Sequence, residues 1–145
     1  MIDSIDHLFT SRGLRCTSHR RTIYRALAAT TAHPTVDELY QQLDGRMSLA
    51  TVYNTLESFC KTGLVRKIPG SGENGSARYD ATTDPHMHAC DAVSGRVVDV
   101  PEELSRSIFE QIPQQQLAAI EKCLGFRISD IRIDLVGEFV SASDN

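Results

Sequence analysis

The segment Pro69-Gly-Ser-Gly-Glu-Asn-Gly-Ser76 places three glycines in eight residues. So much glycine loses too much conformational freedom to be held in a helix or strand, so the segment is a loop. It is bordered by Leu64-Val-Arg-Lys-Ile68 and by Ala77-Arg-Tyr-Asp80, two short runs that can pair as a hairpin. Upstream, the apolar residues recur at helical spacing. Ile5, Leu8 and Phe9 predict a short helix over residues 3–11, closed by Gly13. Thr17 is a suitable N-cap for a helix from Ser18 to about Ala29, with Ile23, Ala26 and Leu27 on one face. Pro34 sits where a third helix begins, and Thr35 to Leu43 carries Val36, Leu39, Tyr40 and Leu43 as its stripe. Asp44-Gly45 breaks it. Ser48 caps a fourth, Leu49 to about Thr62, with Leu49, Val52, Tyr53, Leu56, Phe59 and Cys60 on one side. Helices followed by a glycine-tipped hairpin predict a winged helix-turn-helix, whose second helix, here 48–62, normally enters the major groove of DNA.

The remaining side of that helix offers Ser48, Ala50, Thr51, Asn54 and Thr55, and Arg15, Arg20, Arg21, Arg25, Arg66 and Lys67 lie on flanking elements. Arginine, lysine and helix N-termini hold phosphates, whereas Asn, Thr and Ala can read base edges. An unspecialised helical bundle is the plainer reading, but its solvated face would more typically be filled with Glu and Lys. The net charge of −4 does not by itself suggest a nucleic-acid binder. Its distribution does: residues 1–83 hold ten Lys/Arg against eight Asp/Glu, and residues 84–145 hold five against eleven.

The run from Asp80 to Asp99 is rich in metal-ligand chemistry. His86 and His88 are two apart, so in an extended segment both rings face the same way. Ser94-Gly95 turns the chain back, which lets Asp99 and Asp80 converge on the same pocket. Imidazole and carboxylate together suit Fe(II), Mn(II) or Zn(II). A polar hairpin with surface histidines is the alternative from spacing alone.

Beyond it, Pro101-Glu-Glu103 starts a helix with Leu104, Ile108 and Phe109 as its buried stripe. Ile112-Pro113 interrupts it, and a second helix runs from about Gln114 to Leu124 through Leu117 and Ile120, capped by Gly125. Phe126 to Val136 alternates as a strand, with a phase shift near Ser129-Asp130 that reads as a bulge. Three strands and one broken helix are too thin a unit to stand alone, so pairing with a second copy across a two-fold axis is expected. The tail, Ser141–Asn145, is expected to be disordered. The fold class expected is α+β: an N-terminal winged helix-turn-helix domain over residues 1–80, a hinge over 81–85, and a small α/β dimerisation domain over 86–145.

Four cysteines, at 16, 60, 90 and 123, form no C-x-x-C pair, which excludes a zinc ribbon and argues against a disulfide framework. Reduced, mostly buried thiols are expected at Cys16, Cys60 and Cys123. No run approaches the roughly 20 apolar residues of a membrane span. The acidic N-terminus lacks a signal-peptide layout, so a cytoplasmic location with no membrane partner is expected.

Ala32-His-Pro-Thr-Val-Asp-Glu-Leu-Tyr40, Ser48-Leu-Ala-Thr-Val-Tyr-Asn-Thr-Leu56, Gly63-Leu-Val65, Ala77-Arg-Tyr-Asp80, His86-x-His88, Gly95-Arg-Val-Val-Asp99 and Gly125-Phe126 occur in one order. Together they closely resemble the ferric uptake regulator family, from about Leu14 to Gly137. The resemblance implies a homodimeric, metal-dependent transcription repressor that binds a palindromic operator in double-stranded DNA, and not an enzyme. The metal positions look most like those of the peroxide-sensing members, because the iron-sensing members usually place glutamate where this chain has Asp99. The resemblance carries the regulatory ligands onto His33, Asp80, His86, His88 and Asp99, for one Fe(II) or Mn(II) per subunit, with Zn(II) as a substitute. It carries DNA contacts onto Arg15, Thr17, Arg20, Ser48, Ala50, Thr51, Tyr53 and Asn54, of which Tyr53 also fits a core or cap position.

The chain departs from the family in one respect. Most relatives hold a structural zinc with two C-x-x-C pairs; here the first pair's positions are Asp91 and Ser94, and no cysteine lies near Gly137-Glu-Phe139. No structural zinc is therefore expected. Cys90 falls on the His86/His88 face by period two and is a further candidate ligand. The mechanism implied is loss of repression when peroxide oxidises His33 or His86 at bound iron. A repressor responsive to iron or manganese without peroxide sensing is the alternative. A small His/Asp metalloenzyme is the alternative of another class, although five protein ligands leave little room for substrate.

Overall fold

The computed structural model describes residues 4–70, 75–82 and 84–141. The middle of the glycine-rich loop and most of the C-terminal tail lie outside the described residues. Four helices come first: α1 (Ser4–Ser11), α2 (Ser18–Ala28), α3 (Val36–Gln42) and α4 (Leu49–Lys61). Their ends follow local rules. The Thr17 side chain accepts from the Arg20 amide at the start of α2. Thr35 and Glu38 form a reciprocal capping box on α3, and Ser48 accepts from the Thr51 amide on α4. The α3–α4 turn passes through Asp44 and Gly45, both in the left-handed region with φ of 46° and 72°.

A hairpin of β1 (Arg66–Ile68) and β2 (Arg78–Asp80) follows, antiparallel, with Lys67 opposite Tyr79. This is the wing. The first core gathers Phe9, Ile23, Leu27, Leu39, Val52, Leu56, Phe59, Leu64 and Tyr79. Phe9, Tyr24 and Phe59 stack mutually at ring separations of 5.5–6.2 Å.

The second sheet has the order β4-β3-β5, from β3 (His88–Asp91), β4 (Val97–Asp99) and β5 (Asp134–Gly137). β4 pairs antiparallel to β3 and β5 pairs parallel to it. Helices α5 (Glu102–Glu110) and α6 (Gln114–Leu124) form the crossover, broken at Pro113. Ser105 is buried where α5 meets the sheet; its Oγ accepts from the Met87 amide and donates to the Val100 carbonyl. The backbone between the two histidines is thereby pinned.

Several expectations need correction. Residues 126–133 are irregular and only 134–137 form a strand, because the β-ladder on β3 extends no further back than Asp134. Leu49 and Tyr53 are exposed and Thr55 is buried, so the apolar face of α4 is narrower and rotated relative to the expected stripe. Leu104 and Ile108 are exposed rather than buried in the single chain, and Ile120 and Leu124 of α6 are exposed as well. The second unit holds too few apolar residues to cover its own helices. Cys123 is exposed, and Cys16 and Cys60 are half-buried. Among the described residues, no helix is long and apolar enough to cross a membrane.

Candidate metal centre and DNA-facing helix

Five sequence-predicted residues meet between the two units. His33 comes from the loop before α3, Asp80 from the end of β2, His86 and His88 from the approach to β3 and its first position, and Asp99 from the end of β4. His33, Asp80, His88 and Asp99 each offer a ligand atom within 4.8 Å of one another. His86 joins through its Nε2, 2.8 Å from Asp80 Oδ2 and 3.2 Å from Asp99 Oδ1. His33 Nε2 lies 2.8 Å from Asp99 Oδ1, and His88 Nε2 lies 3.1 Å from Asp80 Oδ2. The His86 and His88 rings stand edge to face at 4.5 Å. His33, Asp80 and His88 are at most 4% exposed, so both charges and imidazoles sit where bare ions are costly.

The ring tautomers bear on whether a cation fits. His86 Nδ1 is 2.7 Å from the Asp84 carbonyl. A carbonyl only accepts, so Nδ1 carries the proton and donates. With no second proton on the ring, the Nε2 lone pair would face Asp80 and Asp99. His88 Nδ1 is likewise engaged by Asp134 Oδ1 at 3.2 Å, with Nε2 facing Asp80. Lone pairs of nitrogen and carboxylate oxygens aimed at one point call for a positive charge, either extra protons or a metal ion. Outer carbonyl and carboxylate groups holding the far nitrogen of each ring are the usual support of metal-binding histidines. The donor set, nitrogen and oxygen without sulfur, fits Fe(II), Mn(II) or Zn(II).

The electrostatics agree. Burial alone would raise the Asp80 carboxyl, but hydrogen bonds from His88 and the Thr82 amide, with the fields of His33 and His86, bring it down to about 2. Burial opposes protonation of His88, yet contacts with Asp80 and Asp134 raise its pKa above the ordinary value.

Cys90 does not join the cluster. It packs with Ile68 and Val97 in a small second core, and burial pushes its thiol upward. Two residues not expected from the sequence do contribute. Asp134 on β5 orients His88, and its only sequence signal is an acid interrupting an alternating apolar run. Arg78 on β2 donates from Nη1 to the carbonyl of His33 itself, at 3.0 Å.

On α4, Ser48, Ala50, Tyr53 and Asn54 are exposed and Thr51 is half-buried beside the Ser48 hydroxyl. Tyr53 is 49% exposed, which removes it from the core. Arg15 and Thr17 are exposed and Arg20 is half-buried, donating to the Arg15 carbonyl at 2.9 Å.

Side chains also tie the β3–β4 turn to the segment after β5. Asp91 Oδ1 accepts from the Val93 and Ser94 amides, while Oδ2 accepts from the Phe139 amide at 3.4 Å. The Arg96 guanidinium lies 4.7 Å from the centre of the Phe139 ring. The β3–β4 turn and Phe139, just beyond β5, are thus linked through Asp91 and Arg96.

The profile of the ferric uptake regulator family matches residues 11–135. The peroxide operon regulator of Bacillus subtilis is 35% identical over 128 residues, 86% of this chain and 81% of that protein. The ferric uptake regulation protein of Rhizobium leguminosarum is 30% identical over 138 residues, covering 92% of this chain and 90% of that one. Among solved structures, a zinc-bound manganese uptake regulator superposes with a TM-score of 0.61 at 29% identity, over 95% of this chain and 100% of that chain. The peroxide stress regulator of Campylobacter jejuni shares the fold, with a TM-score of 0.65 at 23% identity over 97% of this chain and 99% of that chain.

Proposed function

Because this chain belongs to the ferric uptake regulator family, we propose that it is a metal-dependent, DNA-binding transcriptional repressor that senses hydrogen peroxide through oxidation of a histidine ligand. The observation that carries this reading is the meeting of three imidazoles and two carboxylates from both halves of the chain. In this reading His33, Asp80, His86, His88 and Asp99 hold one divalent ion per subunit. The ion would supply positive charge and, as Fe(II), would cleave the peroxide O–O bond, so that one peroxide oxygen enters a ring C–H of the histidine, the other leaves as water, and the two electrons come overall from the ring.

The residues do the rest. Without a cation, the buried Asp80 and the partly exposed Asp99 would repel each other, which favours parting of the loop that carries His33 from β4. A bound cation would take His33 and Asp99 as ligands together and so hold the two units closed. Residues 1–80 then act as the DNA-binding domain, 81–85 as the hinge and 86–145 as the dimerisation domain. Closure sets the two α4 helices of a homodimer at the spacing of two half-sites in a palindromic operator. Arg15, Thr17, Arg20, Ser48, Ala50, Thr51, Tyr53 and Asn54 are the proposed contacts; exposure of most of them supports this. An oxygen added to His33 or His86 removes a donor and releases the closed state. The protein is accordingly a single-use sensor and not a turnover enzyme, and it acts in the cytoplasm. Asp91 and Ser94 in place of cysteines support the absence of a structural zinc.

The test is mass spectrometry of anaerobically Fe(II)-loaded protein after peroxide. One added oxygen on a peptide containing His33 or His86, with parallel loss of operator binding, is expected. Intact histidine peptides with retained binding leave the second reading, an iron- or manganese-responsive repressor.

A further inference from the structure

We propose that Arg78 is a positioning residue that sets the His33 loop for metal binding and links that loop to both α3 and the β3–β4 turn. This rests on the metal-centre reading above. Arg78 sits on β2, two residues before Asp80, with a side chain only 17% exposed. Its Nε donates to the Gly95 carbonyl at 2.8 Å. Its Nη1 donates to the His33 carbonyl at 3.0 Å and to Glu38 Oε2 at 3.3 Å. One planar group therefore grips the ligand loop, the first turn of α3 and the turn of the second sheet. A guanidinium can do this because its donors are fixed in a fork; an ammonium cannot reproduce the geometry.

His33 needs such help. Its φ is +50°, an uncommon region for a residue other than glycine, although histidine enters it more readily than most. The neighbouring Tyr79 amide donates to the Pro34 carbonyl at 3.1 Å, so β2 holds this loop at two successive carbonyls. Fixing the His33 carbonyl fixes where its ring projects. Glu38 Oε2 also accepts from the Thr35 amide, so the atom that caps α3 is the same one Arg78 holds. Any pull on the His33 ring reaches α3 and Gly95 through one side chain.

The experiment is calorimetric titration of full-length protein with Mn(II), comparing wild type, Arg78→Lys, Arg78→Ala, His33→Ala and Arg78→Ala combined with His33→Ala. Loss of an outer partner typically weakens metal binding by about 10–100-fold, and that is expected for Arg78→Ala, with Arg78→Lys nearer to it than to wild type. In the His33→Ala background, Arg78→Ala should change affinity by less than about twofold, since the two residues act as one unit. Circular dichroism confirms folding; should Arg78→Ala fail to fold, Arg78→Lys with its own His33→Ala double variant carries the same comparison. Wild-type affinity in both Arg78 variants, or an undiminished Arg78 effect without His33, overturns the proposal while leaving the metal centre in place. A wild-type protein that takes up no Mn(II) overturns the metal-centre reading, and this proposal with it.

Discussion

His33 Nε2 and Asp99 Oδ1 are 2.8 Å apart although 66 residues separate them in the chain. The contact joins the loop that leads into the helix-turn-helix to the last position of β4. In the proposed mechanism it is a contact through which events at the candidate metal centre would reach the DNA-facing half. Replacing His33 with alanine removes that link while leaving four candidate ligands, Asp80 at the end of the wing strand β2 and His86, His88 and Asp99 beyond the hinge. Coupling between two ligands is typically about 5–150-fold. Fluorescence anisotropy with and without Mn(II) should show operator affinity rising by a factor in that range for wild type. For His33→Ala the metal should make no difference. A variant that still responds fully would remove His33 from the switch.

Protonation should compete with closure even without metal. The Asp80 carboxyl is held down to about 2, so its contribution to stability is present above the ordinary carboxylate pKa and is lost as pH falls toward that value. His88 is raised, so its contribution is full below the ordinary histidine pKa and is lost as pH climbs through the raised value. Thermal melts of chelated protein should therefore peak in the weakly acidic range between these limits. Asp80→Asn should flatten the acid limb. A curve that rises steadily from neutral to alkaline pH contradicts the assignment.

The grip on DNA should be salt-dependent. Each phosphate neutralised by arginine or lysine contributes a slope of about −0.9 to the double-logarithmic plot of affinity against salt. Replacing Arg15 with alanine should lower affinity for specific and random duplexes alike and make the slope shallower by about one. Replacing Asn54 should instead weaken discrimination between operator and random sequence while leaving the slope unchanged.

Asp91 should matter to the fold and zinc should not. Its carboxylate closes the β3–β4 turn and reaches the Phe139 amide. Asp91→Ala should lower the melting temperature in the presence and absence of chelator. Elemental analysis of purified protein should find no zinc that resists chelation, and chelated protein should remain dimeric in sedimentation. Retained zinc at one per subunit would show a second metal site.

The local features were open to reading from sequence because they obey local rules. Thr17 and Ser48 cap helices by reaching amides three residues on, and Ser94-Gly95 turns a hairpin. His86 and His88 share a side by strand periodicity alone. The position of His33 is different in kind. No spacing rule carries the loop before α3 to β4, and only family resemblance pointed there. Arg78 and Asp134 escaped for a related reason: each supports a ligand through tertiary contact, and neither is itself of unusual type or spacing. The exposed Leu104 and Leu124 misled because a periodic stripe tells that a face will be covered, not whether the same chain covers it.

The capping of α4 has a consequence for speed. The helix begins on its own Ser48 and rests its buried side on the first core, with no residue of the metal centre among its supports. A finished part needs only to be aimed. Reorientation of intact bodies takes microseconds to milliseconds, so in the proposed sensor the lag between chemical insult and a cleared promoter would be set by the reaction at the ligand and by departure from DNA. Refolding never enters the clock.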